Sequence, residues 1–187
     1  TNCVTTQYQH VSVLEKQMRS TGIIVLHCDE NGKASSPHEN DWLVNLFAAS
    51  PLTNRAIGRV VDTWKADEIN QATEAFAGAW IVPVKFRQSK RKSTFAIGLI
   101  VTEELCDSEY FYALCQASNA DVTVMRELIQ SLPPVAKQDV QNMATLFQIA
   151  WNAQAQNDVN QSTIESFGQE LADSYEEISL LYTMTSS

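Results

Sequence analysis

The spacing of apolar residues changes several times along the chain, and each change marks an element. Residues Tyr8 to Ser20 carry Val11, Leu14 and Met18 at helical spacing, which predicts a first amphipathic helix ending at Thr21 and Gly22. The run from Gly22 to Cys28 is short, β-branched and apolar, and Asn31-Gly32 follows it as a tight-turn signal. Strand, turn and a second short strand are therefore expected. After a polar loop through Pro37, Asn40 or Asp41 caps a helix carrying Trp42, Leu43, Leu46 and Phe47, which Ser50-Pro51 ends. Thr53 or Asn54 opens the next helix, with Ile57, Val60, Val61 and Trp64 on one face, and this helix continues, bent or broken, toward Ala75.

Period two then takes over. Trp80, Val82, Val84 and Phe86 alternate in a strand from Ala79 to Phe86, and Phe95, Ile97, Leu99 and Val101 alternate in a strand from Thr94 to Thr102. The pair reads as an antiparallel hairpin with one strongly apolar face. On the other face Ala96, Gly98 and Ile100 leave room for something to lie close. From Ser108 onward the period is helical. Tyr110, Phe111, Leu114 and Cys115 form one stripe, and Val122, Met125, Leu128 and Ile129 the next; Pro133-Pro134 then separates them from a third, with Val140, Met143, Ala144, Phe147, Ala150 and Trp151. This order predicts an α+β fold, an antiparallel sheet packed with helices, over residues 1–153, followed by a coiled-coil helix over residues 154–187.

The tail pattern is heptad-like. Ile164, Phe167, Leu171, Ser174, Ile178 and Leu181 follow alternating three- and four-residue steps, with Tyr175 and Tyr182 beside the seam. An isolated amphipathic helix of this length is marginal in water, so the stripe needs a partner. A second copy of the chain is the expected one, with Ile164, Phe167, Leu171, Ile178 and Leu181 as the dimerising residues. Gly168 and the polar stretch from Gln154 to Ser162 weaken the middle, where Ala153, Asn157 and Asn160 occupy the seam. One long helix with a soft centre, or two helices, would both fit.

Composition narrows the function classes. A chain of 187 residues with 44% hydrophobic content can bury one core and carry one appendage. A net charge of -9 disfavours general binding to nucleic acid or an anionic membrane surface, and no window has the apolar length of a membrane span. Cys3, Cys28, Cys106 and Cys115 show no paired spacing, which fits a reducing cytoplasm. Lys85, Arg87, Lys90, Arg91 and Lys92 cluster between the two long strands, as a solvated hairpin tip or as a place for an acidic partner. The glycines are isolated from one another, and no GxSxG, HExxH or CxxC motif occurs, so no enzyme is expected. His27 and Cys28 are adjacent at the end of a strand, so at most one of them faces any given cavity. There they form either a core edge or a haem-ligand or reactive-thiol site. Trp64, Trp80, Phe86 and Phe95 either fill the core or line an apolar cavity between sheet and helices. The ligand-binding candidates are Trp64, Trp80, Phe95 and Cys28, with the cofactor unknown.

Two stretches resemble known families. Leu171 to Tyr182, reading LADSYEEISLLY, resembles the signalling helix that joins an input domain to a GAF domain or another output module in bacterial sensor proteins. Its Leu-Leu-Tyr implies the start of a following domain's first helix and a chain cut at a domain boundary. Phe95 to Trp151 resembles the C-terminal half of the PocR-type, PAS-like sensory domain: a strand reading Ile-Gly-Leu-Ile-Val, an acidic turn, Glu109-Tyr110-Phe111, a helix ending at Leu132-Pro133-Pro134-Val135, and a last helix. Many members of that family carry a cysteine and histidine cluster before the hairpin. This chain has only His38 in the corresponding region, so no metal or redox role is carried over. The resemblances imply a cytoplasmic input module that binds a small ligand and relays the signal through a dimeric C-terminal helix to an output domain in the same polypeptide. A ligand-free dimerisation scaffold is the alternative.

Overall fold

The computed structural model describes residues 13–29, 31–35, 41–66, 71–89 and 92–185, and of residues 65, 66, 85–89, 92–95, 155, 158 and 159 it describes the backbone alone. Its elements, in chain order, are α1 (13–20), β1 (Ile23–Cys28), β2 (Ala34–Ser35), α2 (Trp42–Ala48), α3 (Pro51–Ala66), β3 (Thr73–Phe76), β4 (Ala79–Ser89) and β5 (Lys92–Val101). A 3-10 turn (Glu103–Asp107), α4 (Glu109–Ala117), α5 (Val122–Gln130), a second 3-10 turn (Lys137–Asp139) and α6 (Val140–Thr185) follow. The fold is α+β, with one five-stranded sheet in the order β2-β1-β5-β4-β3 and every neighbouring pair antiparallel. By its internal contacts the chain divides into two units, Thr1–Trp151 and Asn152–Ser187.

Local chemistry explains most of the boundaries. The Asn31-Gly32 turn forms where expected: Asp29 Oδ1 accepts from the Asn31 and Lys33 amides, each at 2.9 Å, and Gly32 adopts φ +81°. Asp41 caps α2 by accepting from the Val44 amide. α3 starts earlier than the sequence reading placed it. Ser50 Oγ accepts from the Leu52 amide at 3.2 Å and Pro51 takes the first helical position, so the residues that end α2 also open α3. The chain expected to continue as helix toward Ala75 instead forms β3, which returns through Gly78 at φ +84° into β4. A Cβ at Gly78 would overlap the Leu105 backbone, so this turn admits only glycine.

The hairpin register corrects one expectation. Trp80 pairs with Ile100, Val82 with Gly98 and Val84 with Ala96, whereas Ile81 pairs with Leu99. The alternating residues of β4 therefore share a face with Ala96, Gly98 and Ile100, and not with Ile97, Leu99 and Val101. Both faces of the sheet are apolar, and both are covered. On one, Ile24, Leu26, Ile81, Ile97 and Leu99 pack with Phe47, Ile57, Phe111, Leu114 and Met125 of α2 to α5. On the other, Ile23, Val25, Val82, Val84, Ala96 and Ile100 pack with Leu14 of α1 and with Val140, Ala144, Phe147 and Trp151 of α6.

The small residues of β5 decide how α6 seats. A Cβ built on Gly98 would lie 2.7 Å from Phe147 Cε1, so the ring rests directly on the strand. Two glutamines fasten the same helix to backbone groups of the buried residues Ala72 and Pro83. Gln141 accepts from the Ala72 amide and donates to its carbonyl, at 3.1 and 3.0 Å, and Gln148 donates to the Pro83 carbonyl at 3.2 Å. α1 is held by polar side-chain contacts as well as by Leu14. Glu15 Oε1 meets His27 Nε2 at 2.6 Å, and Arg19 Nη2 donates to Asp41 Oδ2 at 2.6 Å.

Two substitutions test this seating. Gly98→Ala should destabilise the globular unit by about 1–3 kcal/mol through overpacking, and Phe147→Ala by about 3–5 kcal/mol through the cavity it leaves. In the double variant the losses should be less than additive, because the smaller residue at 147 admits the new methyl. Denaturant unfolding checks this, and strictly additive losses would show that the two residues are not in contact.

Candidate functional site

The sheet sorts the predicted ligand-binding residues. Cys28 and Trp64 are buried in the core beneath α2 to α5. Trp80 is half-buried on the opposite face, packed against the core beneath α1 and α6. The Phe95 backbone pairs with Cys28, and its side chain lies outside the described residues, as do those of Phe86 and of the basic stretch Lys85 to Lys92. Trp64 and Trp80 therefore cannot line one cavity, because a closed sheet lies between their faces. His27 points away from Cys28, as strand alternation requires, and is engaged by Glu15. His38, Cys3 and the helix start before residue 13 lie outside the described residues.

Two further cysteines share a core with an arginine. Cys106 and Cys115 are buried beside α5, where Arg126 Nη1 donates to the Cys106 carbonyl at 2.9 Å and the guanidinium carbon lies 5.1 Å from the centre of the Phe111 ring. Burial pushes both thiols up from their ordinary value, and the Arg126 charge opposes that shift. Their burial favours the neutral S–H form over the thiolate. Among the described residues, no three His, Cys, Asp or Glu side chains are placed to hold a metal ion.

The globular unit also has a cleft of about 350 Å³ at the end of the sheet. Val101, Thr102, Glu103, Cys106 and Asp107 form one wall; Ile129, Gln130 and the segment Leu132 to Val135 form the other. Its lining mixes apolar side chains with Thr102, Gln130 and the carboxylates of Glu103 and Asp107. No sequence signal marked it, because its residues come from a strand end, a 3-10 turn, a helix end and a proline loop, none of which forms a motif alone.

The tail is where the predicted residues do come together. From Val140 to Thr185 the chain forms a single helix, without the break that the polar middle made conceivable. Side-chain bonds one turn apart support it: Gln156 to Asn160 at 3.1 Å, Gln161 to Glu165 at 3.3 Å and Gln169 to Asp173 at 2.9 Å. Ile164, Phe167, Leu171, Ile178 and Leu181 remain 71%, 62%, 59%, 61% and 63% exposed, with Tyr175 and Tyr182 beside them. Single exposed apolar residues are ordinary, whereas these five recur at heptad spacing along one helix.

No protein-family model, no curated protein sequence and no solved structure matches this chain. No helix among the described residues is long and apolar enough to cross a membrane. The functional reading therefore rests on the seam, the cleft and the two sequence resemblances.

The buried thiols predict a pH dependence. A thiol whose pKa is raised by folding ionises first in the unfolded chain, so stability is retained below the unfolded value of about 8.5 and falls as pH rises toward the folded one. The unfolding free energy should drop more steeply between about pH 8.5 and 10 in the native sequence than in the Cys106→Ala, Cys115→Ala variant. Equal slopes in denaturant titrations at those pH values would remove the thiols as the cause.

Proposed function

We propose that this chain is the input module of a bacterial signal-transduction protein, working in the cytoplasm. It pairs with a second copy through the α6 seam and passes a change in that pairing to an output domain in the same polypeptide. The observation that carries this reading is the exposed apolar stripe of the tail, which has no reason to persist at heptad spacing unless another helix covers it. Support comes from the signalling-helix resemblance of Leu171 to Tyr182, and from a single antiparallel sheet with helices packed on it, as a PAS-like module requires. The place for a small ligand is the cleft at Thr102 rather than the sheet faces, which close-packed side chains fill. The filled faces also favour a second reading, in which the globular unit binds no small molecule and serves as a dimerisation scaffold.

Sedimentation tests the pairing. The 187-residue chain should dimerise at micromolar concentration, and Leu171→Glu with Ile178→Glu should make it monomeric without lowering the melting temperature of the globular unit. A native chain that stays monomeric at every concentration sinks the pairing.

A thermal-shift panel of polyols, organic acids, nucleotides and haem separates the two readings. A binder present at a hundred times its Kd stabilises by about 2.7 kcal/mol, a rise of several degrees. Silence across the panel favours the scaffold. Relay through the soft seam has its own test: Asn157→Ile with Asn160→Leu should lock the dimer and abolish the response of the full-length protein, and an undiminished response argues against it.

A further inference from the structure

From residue 138 to the end, the charged residues are Asp139, Asp158, Glu165, Glu170, Asp173, Glu176 and Glu177, with no Lys, Arg or His among them. Two tails therefore cannot be matched by ion pairs, the usual device for setting partner and orientation in a coiled coil. The heptad register says what replaces them. Ile164, Leu171 and Ile178 fall at a, and Phe167, Ser174 and Leu181 at d. The flanking g positions then hold Glu170 and Glu177, and the e positions hold Tyr175 and Tyr182. Tyr175 and Tyr182 are 71% and 76% exposed in the single chain, beside the seam on the same helix.

In a parallel, in-register pair, g of one helix faces e of the next heptad on the other, five residues on. Glu170 then meets Tyr175 of the second copy, and Glu177 meets Tyr182. Each phenol O–H can donate to a carboxylate, a charge-assisted bond that requires no cation, while the glutamate stem lies along the ring. In an antiparallel pair g faces g, which brings Glu170 and Glu177 of the two chains together with nothing to neutralise them. Asn157 at a and Asn160 at d meet their own counterparts only in the parallel register, and β-branched Ile164 and Ile178 at a, with Leu181 at d, suit two strands. Glu165, Asp173 and Glu176 fall at b, c and f, away from the seam.

Building on the pairing proposed above, we infer that the tail joins a second copy in parallel and in register, with orientation set by the Glu170–Tyr175 and Glu177–Tyr182 pairs across the seam.

Single cysteines test the orientation in the full chain. Asn160→Cys and Thr185→Cys lie near opposite ends of the seam, outside its apolar residues. Under mild oxidation each variant alone should form a covalent dimer above the background of the native sequence. An equimolar mixture, with one variant carrying a mass tag, should give like-with-like dimers and no mixed species. Tyr175→Phe with Tyr182→Phe should weaken the dimer about tenfold in Kd by sedimentation, since four symmetry-related bonds are lost. Glu170→Gln with Glu177→Gln should let the mixed species appear, because the antiparallel repulsion is gone. A native chain that is monomeric throughout overturns the pairing and this inference together. A dimer that crosslinks only in the mixture overturns the orientation and leaves the pairing standing. A parallel dimer whose Kd and crosslinking ignore both sets of substitutions overturns the role of the glutamate–tyrosine pairs.

Discussion

The Phe147 ring lies close against β5 at Gly98, and the packing of the globular unit depends on that contact. A sheet with two apolar faces is stable only when both are covered, and the second face of this one is covered chiefly by the first three turns of α6. Any side chain at position 98 would lift the helix and open a gap under Val140, Ala144 and Trp151. Close packing would then be lost along the whole face, because dispersion attraction falls steeply over a fraction of an ångström. The glutamines at 141 and 148 reinforce the seating from the polar side. They satisfy backbone groups of Ala72 and Pro83 that would otherwise face away from any strand. One helix thus closes the core with its first turns and carries the exposed heptad-spaced residues further on.

This arrangement explains why the sequence was legible in some places and not in others. Most helices declared themselves, because a 3.6-residue stripe has few other interpretations, and Asp41 marked the start of one of them. Gly98 was legible too, since a run of small residues in a strand otherwise built of isoleucine and valine signals close approach. What period two cannot convey is which parity of one strand shares a face with which parity of the next. Where both parities are apolar, as in β4 and β5, the answer lies in the register of the connecting turn, and the stretch 80–84 was assigned to the wrong face. The consequence reached the candidate site, because Trp80 was grouped with Trp64 and Cys28 across a closed sheet.

β3 was missed for a related reason. Thr73-Glu74-Ala75-Phe76 has neither alternation nor β-branched density, and its register shifts between Glu74 and Phe76. It is a strand because the turn at Gly78 folds it back along β4, a tertiary cause with no local trace. The cleft was invisible on the same grounds. The helical spacing of the tail, by contrast, could be read from the sequence, because it depends on positions along one helix and on nothing that other elements do.

The cleft is lined by residues of both cores. Val101 and Ile129 on its walls belong to the core beneath α2 to α5, while Val135 belongs to the core beneath α6. Pro133 and Pro134 lie between them, and a Cβ at Gly22 would come within 3.1 Å of the Pro133 carbonyl, so the turn into β1 presses on the same segment. That segment leads through a single 3-10 turn into Val140, the first residue of α6. In the proposed relay, an occupant of the cleft would therefore need no path through the rigid sheet. It would act on a short proline-stiffened segment whose far end is the helix that carries the seam. Prolines fix φ and so restrict the set of shapes that segment can take.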